Sequence, residues 1–169
     1  LPDVESGGFT IIAVCDSNYV GSGSQQWTIV SWSNGTRTQG LRISSASAGS
    51  EQTQTICQAP PASGTITSGY VNNPTNWQTQ NGACISTMGS TGEAKRYYVR
   101  LNNRELIDTN GQTTYTASTT SGLAIGADQS GSSAFNGQIQ EVIVYNRILS
   151  LSEVQQTEKN LMFKYDIFG

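Results

Sequence analysis

The sequence predicts an all-β chain: two antiparallel sheets packed face to face, with one short helix near the C-terminus. Three observations carry this. Strand-like runs bounded by Gly, Pro or Asn recur about every ten residues, a spacing typical of sandwiches. No helical periodicity precedes Ser150, and after Ser150 an amphipathic stripe follows a capping signal. At 169 residues the chain can bury a substantial core. Neither a repeat nor a linker divides it, so 1–169 reads as a single domain.

Phe9 to Cys15 is the first clear strand, apolar on both faces and therefore central, bounded by Gly7-Gly8 and by Asp16-Ser-Asn18. Trp27 to Trp32 is the second. Two-residue alternation puts Trp27 and Trp32 on opposite faces, and Asn34-Gly35 ends the strand as a hairpin turn. Leu41 to Ser45 is the return strand, and Ala46 to Thr55, small and polar, is a loop. Thr55 to Gln58 is a short strand stopped by Pro60-Pro61, and 65–71 is another before the turn at Asn72-Asn73-Pro74.

Ala83 to Met88 and Arg96 to Leu101 pair as a hairpin, and Asn102-Asn103 turns the chain into Glu105-Leu-Ile-Asp108. A Thr-rich segment at 113–120 leads to Gly122 to Gly126. Ile139, Val142, Ile143, Val144 and Tyr145 place apolar groups on both faces, a core strand covered on each side. Ser150 with Glu153 forms a capping box, and Leu149 with Val154 a hydrophobic staple. Val154, Leu161, Met162 and Tyr165 then form the stripe that lays a helix on a sheet.

Hydrophobic residues make up 36% and charged residues 12% of the chain, the profile of a neutral, polar, all-β surface protein. With a net charge of −3 and no basic run longer than Lys95-Arg96, a phosphate-tracking surface, and so a nucleic-acid partner, is not expected. No apolar run reaches the ~18 residues of a membrane span, and Leu1 to Glu5 lacks a signal peptide's basic and apolar regions. Membrane insertion is not expected. Lacking an initial Met, the chain reads as a processed product or a segment of something longer. Cys15, Cys57 and Cys84 each sit in a strand-like run. They read as small buried side chains, with one internal disulfide as the alternative. Asn34-Gly-Thr36 fits an N-glycosylation acceptor.

Leu123 to Gly126, a polar loop, Phe135-Asn-Gly137, Ile139 to Arg147, Leu149-Ser150 and a helix closing on Lys164-Tyr165 follow one another in a telling order. That order resembles the closing signature of the laminin-G-like, concanavalin-A-like lectin/glucanase jelly-roll superfamily. Phe9 to Val14 resembles the family's opening strand, and Tyr97 to Leu106 its Tyr-Val strand and turn, with Asn102-Asn103 in place of Asn-Gly. The resemblance implies a jelly-roll sandwich whose ends meet. It also implies calcium at the rim, where loop carboxylates and carbonyl oxygens suit that ion. Asp16 with Asn18, and Asp128 with Asn136, are the candidates beside the terminal strands, the plainer reading being solvated loop residues.

Glycoside hydrolysis needs two carboxyl groups about 5–10 Å apart across the scissile bond. Hydrolases resembling this fold carry Glu-x-Asp-x-x-Glu on one strand, and no such run occurs here. Glu105 and Asp108, three apart, should point to opposite faces. Glu141 lies in an apolar strand, where burial would raise its pKa, but as a lone acid it is read as making a structural hydrogen bond or lying at a sheet margin rather than as catalytic. With no histidine, a Ser-His triad and a His-ligated zinc are ruled out. Tyr19, Tyr70 and Trp77 lie in polar, turn-like segments where their rings could stack on a sugar or cap the sandwich edge.

The reading that follows is a non-catalytic adhesion or carbohydrate-binding module on an extracellular or virion surface, its partner a glycan or surface polysaccharide. The alternative is a structural component of a viral or bacterial surface assembly (tail, fibre, capsid decoration or appendage) contacting neighbouring subunits. A glycoside hydrolase or lyase comes last.

Overall fold

The computed structural model of the protein describes residues 9–17, 26–33, 38–45, 53–58, 84–90, 96–110, 123–127, 131 and 134–167. Among them, β1 (Phe9–Ser17), β5 (Cys84–Ser90), β6 (Arg96–Leu101), β7 (Arg104–Asn110) and β9 (Gly137–Tyr145) form one antiparallel sheet in the order β7-β6-β5-β1-β9. A second sheet runs β4-β3-β2-β8, from β2 (Gln26–Ser33), β3 (Thr38–Ser45), β4 (Thr53–Gln58) and β8 (Leu123–Ile125). Helix α1 (Leu151–Lys164) follows β9. The expected strand at 65–71, the Thr-rich segment at 113–120 and the Asn34-Gly35 turn fall outside the described residues.

β1 is central, between β5 and β9, and its residues Phe9 to Cys15 are no more than 2% exposed. Alternation splits them between two layers. Ile12 and Val14 join Ile85, Tyr98, Leu149, Val154 and Leu161 in a cluster under α1. Phe9, Ile11, Ala13 and Cys15 take the opposite face, toward the second sheet, whose β3 approaches β5. Each fully buried Ile or Val adds on the order of 2 kcal/mol by leaving water, which is why so continuous an apolar run selects the middle of the molecule.

β9 departs from expectation. Ile143 and Tyr145 pack against the helix cluster, and Val142 and Val144 stand opposite Ala13 and Ile11, so both faces are partly covered. Yet β9 is an edge strand among the described residues. The hydrophobic pattern reports what lies above and below a strand and says nothing of its hydrogen-bonding neighbours.

The two tryptophans of β2 are a second correction. The register steps from Thr28↔Arg42 to Val30↔Leu41, leaving Ile29 as a bulge residue. One extra residue inverts the alternation beyond it. Trp27, Val30 and Trp32 therefore pair with Ile43, Leu41 and Gln39, so the strict two-residue alternation expected across 27–32 does not hold in the register.

The helix start matches the sequence. The Glu153 amide donates to Ser150 Oγ at 3.4 Å and the Ser150 amide to Glu153 Oε2 at 2.8 Å, a reciprocal capping box. Leu149 and Val154 are both buried in the cluster, and Met162 and Tyr165 pack against it, as the staple and stripe require. At the β6–β7 turn, Asn102 (φ 46°) and Asn103 (φ 62°) both adopt left-handed backbone, the pair of conformations a two-residue hairpin turn needs. The turn is tied to β5 by Ile85 N–H donating to Asn102 Oδ1 at 2.8 Å and Asn102 N–H donating to the Ile85 carbonyl at 2.9 Å.

Gly89 serves a packing purpose. Its register partner on β6 is Tyr98, and any Cβ at position 89 would overlap the Tyr98 ring. The absent side chain lets the ring cross β5, so that Tyr98 Oη reaches Thr10 Oγ1 on β1 at 3.2 Å. Gly89→Ala should lower stability by about 1–3 kcal/mol through overpacking, read as a drop in denaturation midpoint. In a double-mutant cycle most of that loss should vanish when Tyr98 is replaced by Ala. Additive effects would show that the ring does not set the constraint.

Candidate functional site

The end of β1 and the start of β9 meet at one rim of the sandwich. β1 finishes with Asp16 opposite Gln138 and Ser17 opposite Gly137, where β9 begins. The chain leaving β8 is anchored beside them. Gly126 N–H donates to the Ile29 carbonyl at 2.9 Å, Phe135 N–H to the Gly126 carbonyl at 2.7 Å, and Ser31 Oγ to the Ala127 carbonyl at 3.0 Å. Gly126 (φ 83°) makes this turn in a left-handed conformation that glycine adopts without steric penalty. The segment between Ala127 and Phe135 thus starts and ends at the rim where β1 stops.

This geometry brings together two of the four calcium candidates. Asp16 is half-buried at the end of β1, and Asn136 is exposed immediately before β9. Asn18 and Asp128 lie outside the described residues, as do the aromatics Tyr19, Tyr70 and Trp77. Among the described residues no group of three His, Cys, Asp or Glu side chains gathers as a metal site. The carboxylate and amide oxygens of Asp16 and Asn136 are the hard donors calcium takes.

Three other carboxylates, Glu141, Glu153 and Glu158, are engaged by partners in or beside α1. Glu141, on the β9 edge, accepts from Lys164 Nζ at 2.8 Å and Tyr165 Oη at 2.9 Å. First the Lys164 hydrogen bond and then that of Tyr165 hold it below the ordinary carboxylate range. The raised value that burial would have produced is not found, and the sheet-margin reading of this residue is the one the structure supports. Glu153 is held down to about 2, chiefly by Arg147, whose guanidinium grips it at 2.8 and 3.0 Å, and then by Ser150.

Glu158 was not marked by sequence. It sits on the buried side of α1, fully enclosed, and accepts from Arg100 Nε at 3.2 Å on both oxygens. Arg100, 2% exposed, also donates from Nη2 to the Asn103 carbonyl at 2.8 Å. Burial pushes Glu158 above the ordinary carboxylate range, opposed by Thr87 and by Arg100. The Thr87 hydroxyl makes no hydrogen bond of normal geometry, but it lies on the strand position opposite Arg100, where a nearby dipole still favours the ionised acid. Its signal in the sequence was its position four residues after Val154, on the apolar stripe.

Glu105 and Asp108 need a correction. The register steps from Val99↔Ile107 to Arg100↔Glu105, leaving Leu106 as a bulge residue. Glu105 thus stands opposite Arg100 and Asp108 opposite Tyr98, two positions on one face. Strand alternation alone does not separate these two acids.

A family model described as the concanavalin A-like lectin/glucanases superfamily matches residues 2–155. No curated protein matches the sequence. Among solved structures, the CBM40 of Ruminococcus gnavus IT-sialidase bound to α2,6 sialyllactose aligns with a TM-score of 0.66 at 17% identity, over 92% of this chain and 85% of that one. A Trypanosoma rangeli sialidase, in complex with 2,3-difluorosialic acid as a covalent intermediate, aligns with a TM-score of 0.57 at 18% identity. That match covers 90% of this chain but 22% of the sialidase, so the chain spans about a fifth of its length. The native heptameric SAP-like pentraxin of Limulus polyphemus gives 0.63 at 14% identity, over 90% and 70%. At such identities the likeness establishes the fold, a jelly roll of two antiparallel sheets.

The buried ion pair yields a prediction. Arg100→Met leaves the Glu158 carboxylate enclosed without its cation and should cost about 3–5 kcal/mol at neutral pH, measured by denaturant unfolding. The loss should shrink as pH falls and Glu158 protonates. Arg100→Met with Glu158→Leu should recover most of the stability. In the parent protein, Glu158 is held above its ordinary 4.5, so its contribution is full below about pH 4.5 and is lost as pH rises through its folded value. Glu153 and Glu141 act in the opposite sense, full above 4.5 and lost as pH falls, toward about 2 for Glu153. Stability should therefore peak on the acid side of neutrality, and Glu158→Gln should flatten its decline toward neutral pH.

Proposed function

The chain belongs to the concanavalin A-like lectin/glucanase superfamily, and on that footing we propose that it is a non-catalytic carbohydrate-binding module acting in adhesion at an extracellular or virion surface. The observation that carries this reading is the alignment, over 92% of this chain and 85% of the other, with a sialidase CBM40 bound to sialyllactose. A sialic-acid-terminated glycan is the ligand class this suggests.

Charge bears on how such a ligand would be held. Sialic acid carries a carboxylate, and this chain has a net charge of −3 with Asp16 half-buried at the rim. A divalent cation between two carboxylates offsets their repulsion. In this reading Asp16 and Asn136, with Asn18 and Asp128 from the adjoining segments, hold calcium, which supplies charge and orientation to the sugar. Tyr19, Tyr70 and Trp77 supply stacking faces.

Calorimetric titration with α2,3- and α2,6-sialyllactose, against lactose, tests this directly. Binding to the sialylated sugars should appear with calcium and weaken on chelation, and Asp16→Ala or Asn136→Ala should weaken it by about tenfold or more. Absence of binding to all three sugars, with and without calcium, would sink the glycan reading. Release of free sialic acid during the titration would overturn its non-catalytic part.

A further inference from the structure

Three cysteines allow three possible single bridges, and the fold distinguishes among them. The β1–β5 register sets Cys15 directly opposite Cys84, in a ladder unbroken from Phe9↔Ser90. Cα atoms of directly opposed antiparallel residues stand about 4.5–5.5 Å apart, inside the roughly 4.4–6.8 Å range of disulfides, and the two positions share one face of the sheet. Cys57 is on β4, in the other sheet, opposite Leu41 of β3. Cys57 therefore has neither of the other two cysteines as a ladder partner.

We propose that Cys15 and Cys84 form a cross-strand disulfide when the protein folds in an oxidising compartment, leaving Cys57 as a thiol. The bond closes the chain between β1 and β5, the excursion that builds β2, β3 and β4 of the second sheet. It ties the strand where that excursion begins to the strand where it ends. Cys15 is wholly buried, so the bond forms during folding. A low-molecular-weight disulfide such as oxidised glutathione accepts the two electrons. The two protein thiols lose two protons, one S–S bond forms in the protein, and one S–S bond breaks in the oxidant to give two glutathione thiols. Disulfides of this kind belong to secreted and surface proteins, so the proposal bears on location independently of glycan binding.

The test is to refold the full chain with oxidised and reduced glutathione, then alkylate it in denaturant at acidic pH and count thiols by mass spectrometry. The count should be one without reductant and three after reduction, and none in unreduced Cys57→Ser. Chymotryptic mapping without reductant, which can separate Cys57 from Cys84 at Tyr70 and Trp77, should yield a fragment joining Cys15 to Cys84. Reductant should lower the melting temperature of the parent protein but not of Cys84→Ser. Three thiols after oxidative refolding, or a bridge that includes Cys57, would overturn the proposal.

Discussion

β1 is dry on both faces, and the rest of the structure answers to that constraint. Ile12 and Val14 lie under a helix, while Phe9, Ile11 and Cys15 face a second sheet. A polar side chain in such layers must find its partners inside the protein. Thr10 does so to capacity. Its hydroxyl donates to the Arg147 carbonyl, accepts from the Leu149 amide and meets the Tyr98 hydroxyl, one donor and two acceptor sites all used. One buried oxygen thereby joins the first strand, the hairpin strand β6 and the turn that launches α1.

The same dryness explains the form of the helix contact. A buried ion pair is a weak source of stability but a strict demand on geometry. Arg100 reaches Glu158 from a strand 58 residues away in sequence and rests its other end on the Asn103 carbonyl. If α1 slid by one turn, about 5.4 Å, Glu158 would leave the Arg100 guanidinium and the pair would be broken. The pair thus selects one helix position against its neighbours, while Val154, Leu161 and Leu149 supply the apolar burial that holds the helix down. Glu141 with Lys164 and Tyr165 repeats the arrangement at the helix C-terminus, there in contact with water.

What the sequence made legible were features encoded within a few residues: the apolar run of β1, the capping box at Ser150, and the turn at Asn102-Asn103. What it concealed depended on a partner elsewhere in the chain. Alternation is a local rule that a single bulge inverts, as the register shifts at Ile29 in β2 and Leu106 in β7 do here. β9 has the composition of a central strand because helix and sheet cover its faces, yet no described strand pairs with its outer edge. Glu158 looked like a polar interruption of the stripe until Arg100 was brought beneath it, and nothing local to Gly89 announces that a tyrosine ring crosses it. Of the candidate site, Asp16 and Asn136 were legible because each adjoins a strand whose register can be inferred. The candidate aromatics lie in segments without periodicity, where sequence offers no geometric rule.

The division of labour between layers also limits where recognition can occur. α1 lies on one face of the five-stranded sheet, where its contacts with β6 and β9 engage Glu158 and Glu141. The rim differs. The β1–β9 ladder continues to Ser17↔Gly137, which fixes the backbone of Asp16 and of the residue next to Asn136 to a strand whose residues Phe9 to Cys15 are buried. Polar groups carried at the ends of rigid strands lose little conformational freedom on binding, the condition under which a few contacts can hold a small, well-hydrated ligand such as a sugar. The core that gives this chain its recognisable sequence therefore also fixes the ends of two strands, β1 and β9, at one rim of the sandwich.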